Sequence, residues 1–451
     1  MGVKRHTPKF VVGLALAIAV LLLGNPATNA DSGSNVPVAP TSIGVFPEVA
    51  TPGSVDAATI TALVTKKLAD PRLGANISAY VIDANSKEVL VDIDSDKQMI
   101  PASTLKTYTA IAALQTLGSQ TRFATRVMRS GTVLTLVGGG DPTLVSKTPS
   151  HWRGKPPGSE QPPSLEQLAD KTVSALGANP APVTVTFDDS LFTGKRTHKS
   201  WPGNYVTTGE VAPLQGLSMD FGINDTEAVM KDPAKSAAIF FVTALTDRGV
   251  TATLGDRALA ATDATELARV ESATVVDIVE RMITTSNNTM AEFLAHQIGG
   301  TEGDYSFAGG ARVTAQVIAG DGVDTTGLKL QDGSGLSRSN RTSAKSLTSA
   351  LAYANDGPNE SWAVVSGLPI AGISGTLDDR YGPAEPGRGT VRAKTGTLSG
   401  VVSLTGTLVD ASGDLLIFAI IANDIPGGAK SGETALDNVV KAMVKCGCRV
   451  A

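Results

Sequence analysis

The chain predicts an α/β (α+β) fold: a five-stranded antiparallel sheet flanked by helices, with a β-rich domain inserted into it. Three observations carry this. Strand-like runs near both ends of the chain are joined by short turns, which implies antiparallel pairing. Helical stripes lie before and after those runs. Between about residues 122 and 265 the pattern changes to short β-like runs separated by loops.

Taken in order, Ser54 is the expected cap of a first helix whose stripe is Ile60, Leu63, Val64 and Leu68. Residues 77–83 and 88–93 alternate like strands around the turn Ala84-Asn85-Ser86-Lys87. Pro101-Ala102 lead into a helix from Ser103 to about Leu117, ended by Gly118. The insertion holds β-like runs at Val133–Val137, Val183–Phe187 and Ala252–Leu254, and a proline-rich stretch from Pro149 to Ser164. Helices return near 273–285, 288–298, 307–319 and 343–354. Three strand-like runs follow at 390–395, 400–409 and 415–423, then a helix at about 433–445. Leu415 to Ala422 is continuously apolar, as a strand buried on both faces should be. The expected division is therefore 1–30, 31–53, a core of 54–121 and 266–451, and an insertion of 122–265.

Composition narrows the function. Of 451 residues, 42% are hydrophobic and 18% charged, too apolar for a disordered chain. Aromatics are only 4%, so the core must be built from Ala, Val, Leu and Ile. A formal net charge of −5 argues against a nucleic-acid partner. Two cysteines exclude a disulfide scaffold, and the scattered His6, His151, His198 and His296 form no zinc pattern. Cys446 and Cys448, as Cys-Gly-Cys, carry no assigned role.

The N-terminus reads as an export segment. Lys4, Arg5, His6 and Lys9 precede the 14-residue apolar run Phe10–Leu23, and Thr28-Asn29-Ala30 offers a small-residue cleavage site. The run is shorter than the ~20 residues a spanning helix needs. That favours cleavage over an uncleaved anchor, while leaving peripheral or transient membrane association open. A Pro-, Ser- and Gly-rich linker fills 31–53. The expected location is the periplasmic or cell-wall space.

Three short motifs carry chemistry. In Ser103-Thr104-Leu105-Lys106, helical positions i and i+3 share a face, which sets the hydroxyl beside the amine. Serine is a poor nucleophile until a base takes its proton, and a lysine with lowered proton affinity can be that base. Ser286-Asn287-Asn288 supplies a hydroxyl able to relay a proton and an amide able to hold a substrate amide. Lys394-Thr395-Gly396-Thr397 offers an amine and hydroxyls for a carboxylate, with Gly396 clearing space for a close backbone approach. Each motif alone also fits a capped helix, a polar turn or an exposed strand. Together, and in this order, S-x-x-K, S-x-N and K-T-G are the signature of penicillin-interacting serine enzymes, with Asn287 where the central Asp usually stands.

On these motifs the chain resembles the class C low-molecular-mass penicillin-binding proteins, the D-Ala-D-Ala carboxypeptidase/endopeptidase group. Leu134–Leu144 (LTLVGGGDPTL), Phe187–Phe192 (FDDSLF), Asp332–Arg338 (DGSGLSR) with Asn340-Arg341, and Gly372–Leu377 (GISGTL) are similar to segments of that group. The 183-position gap from Ser103 to Ser286 also fits it. The resemblance implies a penicillin-binding, transpeptidase-like core with one clear inserted domain, the family's second being reduced or missing. It implies no cofactor and no metal. Its partners would be peptidoglycan stem peptides bearing D-Ala-D-Ala and diaminopimelate, and β-lactam antibiotics.

The same resemblance implies roles. Ser103 would be the nucleophile and Lys106 its base, with Ser286 and Lys394 shuttling a proton to the leaving D-alanine. Asn288 would bind the peptide backbone, and Thr395, Gly396 and Thr397 the end carrying the terminal carboxylate. The Ser103 and Thr397 amides would form the oxyanion hole. Asp188, with Asp189 as rival, would meet a diaminopimelate amine, and Arg338 and Ser399 would line that pocket. Two other readings are a serine β-lactamase and a silent scaffold on the same fold. No glutamate has an asparagine four residues later, so the class A deacylation pattern is absent. The intact motifs argue against the scaffold.

Overall fold

The computed structural model describes residues 55–148 and 161–449. The expected export segment, the 31–53 linker, Ser54, His151 and most of the proline-rich stretch lie outside the described residues. Along the chain come α1 (Ala57–Leu68), β1 (Asn76–Asp83), β2 (Val89–Ile93), α2 (Lys106–Leu117), β3 (Ala124–Ser130) and β4 (Val133–Val137). Then follow α3 (Leu165–Leu176), β5 (Val183–Asp188), α4 (Pro233–Thr246), β6 (Ala252–Arg257) and β7 (Thr265–Glu271). The rest is α5 (Val275–Thr285), α6 (Asn288–Gly300), α7 (Phe307–Gly320), α8 (Ala344–Asp356), α9 (Trp362–Ser366), β8 (Arg392–Leu398), β9 (Val401–Val409), β10 (Leu415–Asn423) and α10 (Ala429–Lys445). Asp56 caps α1, accepting from the Ala58 amide at 3.0 Å.

The first sheet has the order β2-β1-β10-β9-β8, every pair antiparallel. Its central strand β10 explains why Leu415–Ala422 is apolar without alternation. Ile417, Ala419 and Ile421 enter a core with α2, α5, α6 and α8. Leu416, Phe418, Ile420 and Ala422 enter the core on the opposite face, with α1 and α10. Both faces are covered, so both sets of side chains must be apolar. The helix α2 is enclosed by that first core: every residue from Lys106 to Leu114 is buried. Ala110, Ala112 and Ala113 keep it thin enough to fit, and a lysine at its head is buried with it.

The second sheet, β6-β5-β4-β3-β7, gives the insertion the strands expected of it, but it is mixed rather than antiparallel. β3 pairs antiparallel with β4 and β7, but β4–β5 and β5–β6 are parallel. A parallel pair needs a crossover, and α3 and α4 supply the two. Leu165, Leu168 and Ala169 of α3 and Ala234, Ala237, Ala238 and Phe241 of α4 form one core with Val127, Leu134, Val185 and Phe187 of the sheet. β7 pairs with β3, Glu271 opposite Ala124, so this sheet runs past residue 265.

Other bounds also shift. The lysine–threonine–glycine run lies wholly inside β8, and α10 starts at Ala429 rather than 433. Cys446 and Cys448 are brought together, their Cα atoms 5.1 Å apart. Among the described residues no helix is long and apolar enough to cross a membrane.

Candidate active site

The Ser103 turn is a 3-10 helix, Ala102–Leu105, that runs directly into α2. In 3-10 geometry residues i and i+3 eclipse, so this start aligns Ser103 with Lys106 more tightly than an α-helical one. Ala102, just before the nucleophile candidate, holds φ = 51° while fully buried, a strained conformation that the surrounding packing must enforce.

Three groups surround the Lys106 amine. Its Nζ lies 2.9 Å from Ser103 Oγ, 2.7 Å from Asn288 Oδ1 and 2.6 Å from the Ser334 carbonyl oxygen. Asn288 is oriented by its own second bond, Nδ2 donating to the Glu210 carbonyl at 2.8 Å. Asn287 fixes the start of α6 by accepting from the Met290 amide at 2.9 Å. Burial pushes Lys106 down to about 7, against the opposing pull of Glu292, Asp332 and Glu210.

Ser286 sits in the left-handed turn between α5 and α6, at φ 56°, ψ 28°. Lys394 of the edge strand β8 donates to its Oγ at 2.7 Å and to the Thr395 carbonyl at 2.9 Å. Lys394 is fully buried, and burial together with the nearby Lys106 charge depresses its proton affinity far below that of a free lysine. The structure therefore joins all three motifs at one place.

Gly396 has a structural reason different from the expected substrate approach. A Cβ there would lie 2.7 Å from the Pro101 carbonyl oxygen and 3.2 Å from the Ser103 amide nitrogen. The glycine lets β8 lie directly against the nucleophile turn. Thr395 Oγ1 is 2.7 Å from Thr376 Oγ1, and Thr397 Oγ1 donates to Glu433 Oε1 at 2.7 Å. Arg338 Nη1 donates to the Ser399 carbonyl at 2.8 Å.

A cleft of about 720 Å³ opens over this assembly, lined among others by Ser103, Ser286, Asn288, Thr395, Thr397 and Ser399. Asp188 and Asp189 do not line it. Asp188 accepts from the Ser190 amide at 3.0 Å, the work of a turn residue ending a strand. Asp189 is spent on Arg257, at 2.9 Å, and Arg196, at 3.4 Å. The acids that do line the cleft are Glu210, Asp379 and Glu433. Sequence reasoning passed over these, and over Thr376, Ser334 and Glu292. Thr376 and Ser334 lie in the GISGTL and DGSGLSR segments it had singled out without giving them roles.

A family model, D-Ala-D-Ala carboxypeptidase 3 (S13), matches residues 60–231 and 224–446. The chain belongs to this family of D-Ala-D-Ala carboxypeptidases. It is 32% identical over 425 residues to a carboxypeptidase of Mycobacterium tuberculosis, covering 90% of this chain and 88% of the relative. It is 33% identical over 466 residues to carboxypeptidase DacB of Mycolicibacterium smegmatis, covering 98% and 97%. In fold it is similar to penicillin binding protein 4 of Haemophilus influenzae, with a TM-score of 0.70 at 20% identity, covering 86% of this chain and 100% of that one. The protein is thus a D-Ala-D-Ala carboxypeptidase, a hydrolase of the penicillin-binding kind.

Proposed function

We propose that this carboxypeptidase cleaves peptidoglycan stem peptides through an acyl-enzyme on Ser103, with Lys106 as base. The observation that carries the proposal is the set of partners around Lys106. A neutral amine has two N–H donors and one lone pair. The Asn288 and Ser334 carbonyl oxygens take the two N–H groups, at 2.7 and 2.6 Å. The lone pair is left facing Ser103 Oγ at 2.9 Å, where it accepts the hydroxyl proton. An amine held at about 7 is neutral often enough at neutral pH to do so.

The steps follow. Ser103 Oγ bonds to the carbonyl carbon of the penultimate D-alanine as its proton passes to Lys106. The carbonyl becomes an oxyanion facing the Ser103 and Thr397 amides. The C–N bond then breaks, and the leaving amine takes a proton delivered through Ser286 and Lys394. Water attacks the ester and frees Ser103. Thr395 and Thr397 hold the carboxylate of the leaving residue, while Asn288 also binds the peptide backbone. Thr395, Thr397 and Leu398 of β8 line the cleft, and a leaving residue larger than D-alanine, such as cross-linked diaminopimelate, takes the same chemistry as an endopeptidase substrate, with Ser399 in the lining and Arg338 bonded to it. A β-lactam enters the same route and stops at the ester. The basic and apolar segment at 4–23 supports export to the cell-wall space as the setting.

The test is intact mass against time after adding benzylpenicillin, on the wild type and on Ser103→Ala, alongside D-alanine release from a pentapeptide. A long-lived adduct on the wild type alone, with D-alanine released, is the expected result. An adduct that clears quickly while the antibiotic is consumed would make the protein a β-lactamase. No adduct and no release would make it a silent scaffold.

A further inference from the structure

Glu292 is a fully buried carboxylate for which the reaction above has no use. It lies one turn beyond Asn288 on α6, on the same face of the helix. Its two oxygens accept from two successive backbone amides, Gly333 at 3.1 Å and Ser334 at 2.8 Å. The carbonyl of that same Ser334 is the 2.6 Å partner of Lys106. Helix α6 therefore reaches the lysine twice, directly through Asn288 and indirectly through Glu292 and the 333–334 loop.

We infer that Glu292 is a positioning residue for the base: it fixes the Ser334 carbonyl against Lys106 and places a negative charge that sets the pH at which Lys106 becomes neutral. This rests on Lys106 serving as the base. Both carboxylate oxygens are occupied by N–H donors, an arrangement that suits the ionised form, because a carboxylic O–H would need an acceptor of its own. Burial and the neighbouring Asp332 push Glu292 upward, against the two amides that hold its ionised form; a Glu292 protonated at neutral pH would leave the limb unmoved in Glu292→Gln.

The charged and titratable groups facing this pair are few. Asp332 comes from the loop that carries Ser334, and the Asp332 carboxylate is itself held by the Gly335 and Ser337 amides, Asn340 and Trp201. His296 follows on α6, its Nδ1 2.8 Å from the Glu292 carbonyl oxygen, and burial lowers it to about 4, so it is neutral. Glu210 borders the cleft and Lys394 comes from β8. Of these, Glu292 pulls hardest toward the protonated lysine, ahead of Asp332 and Glu210.

The sign follows. Removing a negative charge near Lys106 weakens its hold on a proton, so the neutral base persists to lower pH. The experiment measures the second-order rate of benzylpenicillin acylation across pH by intact mass, for the wild type, Glu292→Gln, Glu292→Asp and Lys106→Met. Glu292→Gln is expected to move the acid limb down by about half a pH unit or more. It should also lower the plateau about tenfold, because one buried amide of the loop loses its acceptor. Glu292→Asp keeps the charge but cannot span both amides. It should lower the plateau while leaving the limb within about 0.2 units of the wild type. A limb that stays in place in Glu292→Gln while the plateau or melting temperature falls would overturn the electrostatic role. A limb that moves equally in both variants would overturn it as well. Should Glu292→Gln fail to fold, a displaced limb in Glu292→Asp contradicts the inference by itself. Normal acylation by Lys106→Met would instead sink the reading of Lys106 as base, so the two failures are distinguishable.

Discussion

The two walls of the cleft are built on opposite principles. On one wall, α2, α6 and the 332–338 loop bury Lys106, Glu292 and Asp332, and the contacts among them are short and fixed. On the other wall, two β8 hydroxyls bond to neighbouring elements: Thr395 to Thr376 of the Gly375–Leu377 turn, and Thr397 to the half-exposed Glu433 of α10. A buried polar group without a partner is costly, so the first wall must be fully satisfied before any substrate arrives. On the second, Thr397 and Glu433 face the solvent, so their bond can be exchanged for a substrate's carboxylate at little cost, while Thr395 is buried beside Thr376. Proton transfer is built in advance, and recognition of the leaving residue is left to exchange.

The largest effects should come from the first wall. Ser103→Ala should abolish the penicillin adduct, and Lys106→Met should slow acylation by about 10³-fold, within the range for losing a general base. Stopped-flow or mass-resolved acylation measures both. Asn288→Ala removes one of the two acceptors that aim the amine and should cost about a hundredfold, since misaimed groups lose much of their proximity advantage. Near-normal rates for this variant would break the contrast between the walls.

Glu433→Gln probes the second wall with the opposite sign. A substrate carboxylate must take the Thr397 hydroxyl from the Glu433 carboxylate, and the two like charges then share one neighbourhood. Neutralising Glu433 should raise acylation by carboxylate-bearing β-lactams a few-fold, a modest gain because exposed charges are well screened. Raised ionic strength should shrink the difference. A fall in rate would mean that Glu433 orients Thr397 instead. Smallest of all should be Asp188→Ala. Its carboxylate serves a turn, so KM for a stem peptide with a free side-chain amine should change by less than about twofold. A large rise in KM would restore the amine contact that the family resemblance implied.

What the sequence made legible follows from how local the signal was. Ser103 and Lys106 are three residues apart on one turn, so spacing alone predicted their shared face, and Lys394 to Thr397 are contiguous along one strand. The first sheet was readable because β10, buried on both sides, is apolar throughout while its neighbours are bounded by turns. The Ser334 carbonyl is a backbone atom and has no residue-type signature. Glu292 reads as one of several polar positions on α6, with Thr289, His296 and Gln297, and its partners are 41 and 42 positions away.

The helices of the insertion are a different case. α3 announces itself through the capping box of Ser164 and Gln167 and the buried spacing of Leu165, Leu168, Ala169 and Thr172. That signal stands in the sequence directly after the proline-rich stretch and was not read as a helix. Asp188 misled because FDDSLF offers two adjacent acids at the end of a strand. Only the fold shows Asp189 drawn to Arg257 and Asp188 turned to its own loop.

The central claim is that Lys106 works as a neutral amine held by two carbonyl oxygens. The direct measurement is the wild-type rate of benzylpenicillin acylation from about pH 5 to about pH 10. Burial holds Lys106 near 7, so the rate should rise through about pH 7 and then level off. A rate still climbing toward pH 10, as an unperturbed lysine would give, or one unchanged down to pH 5, would contradict the account.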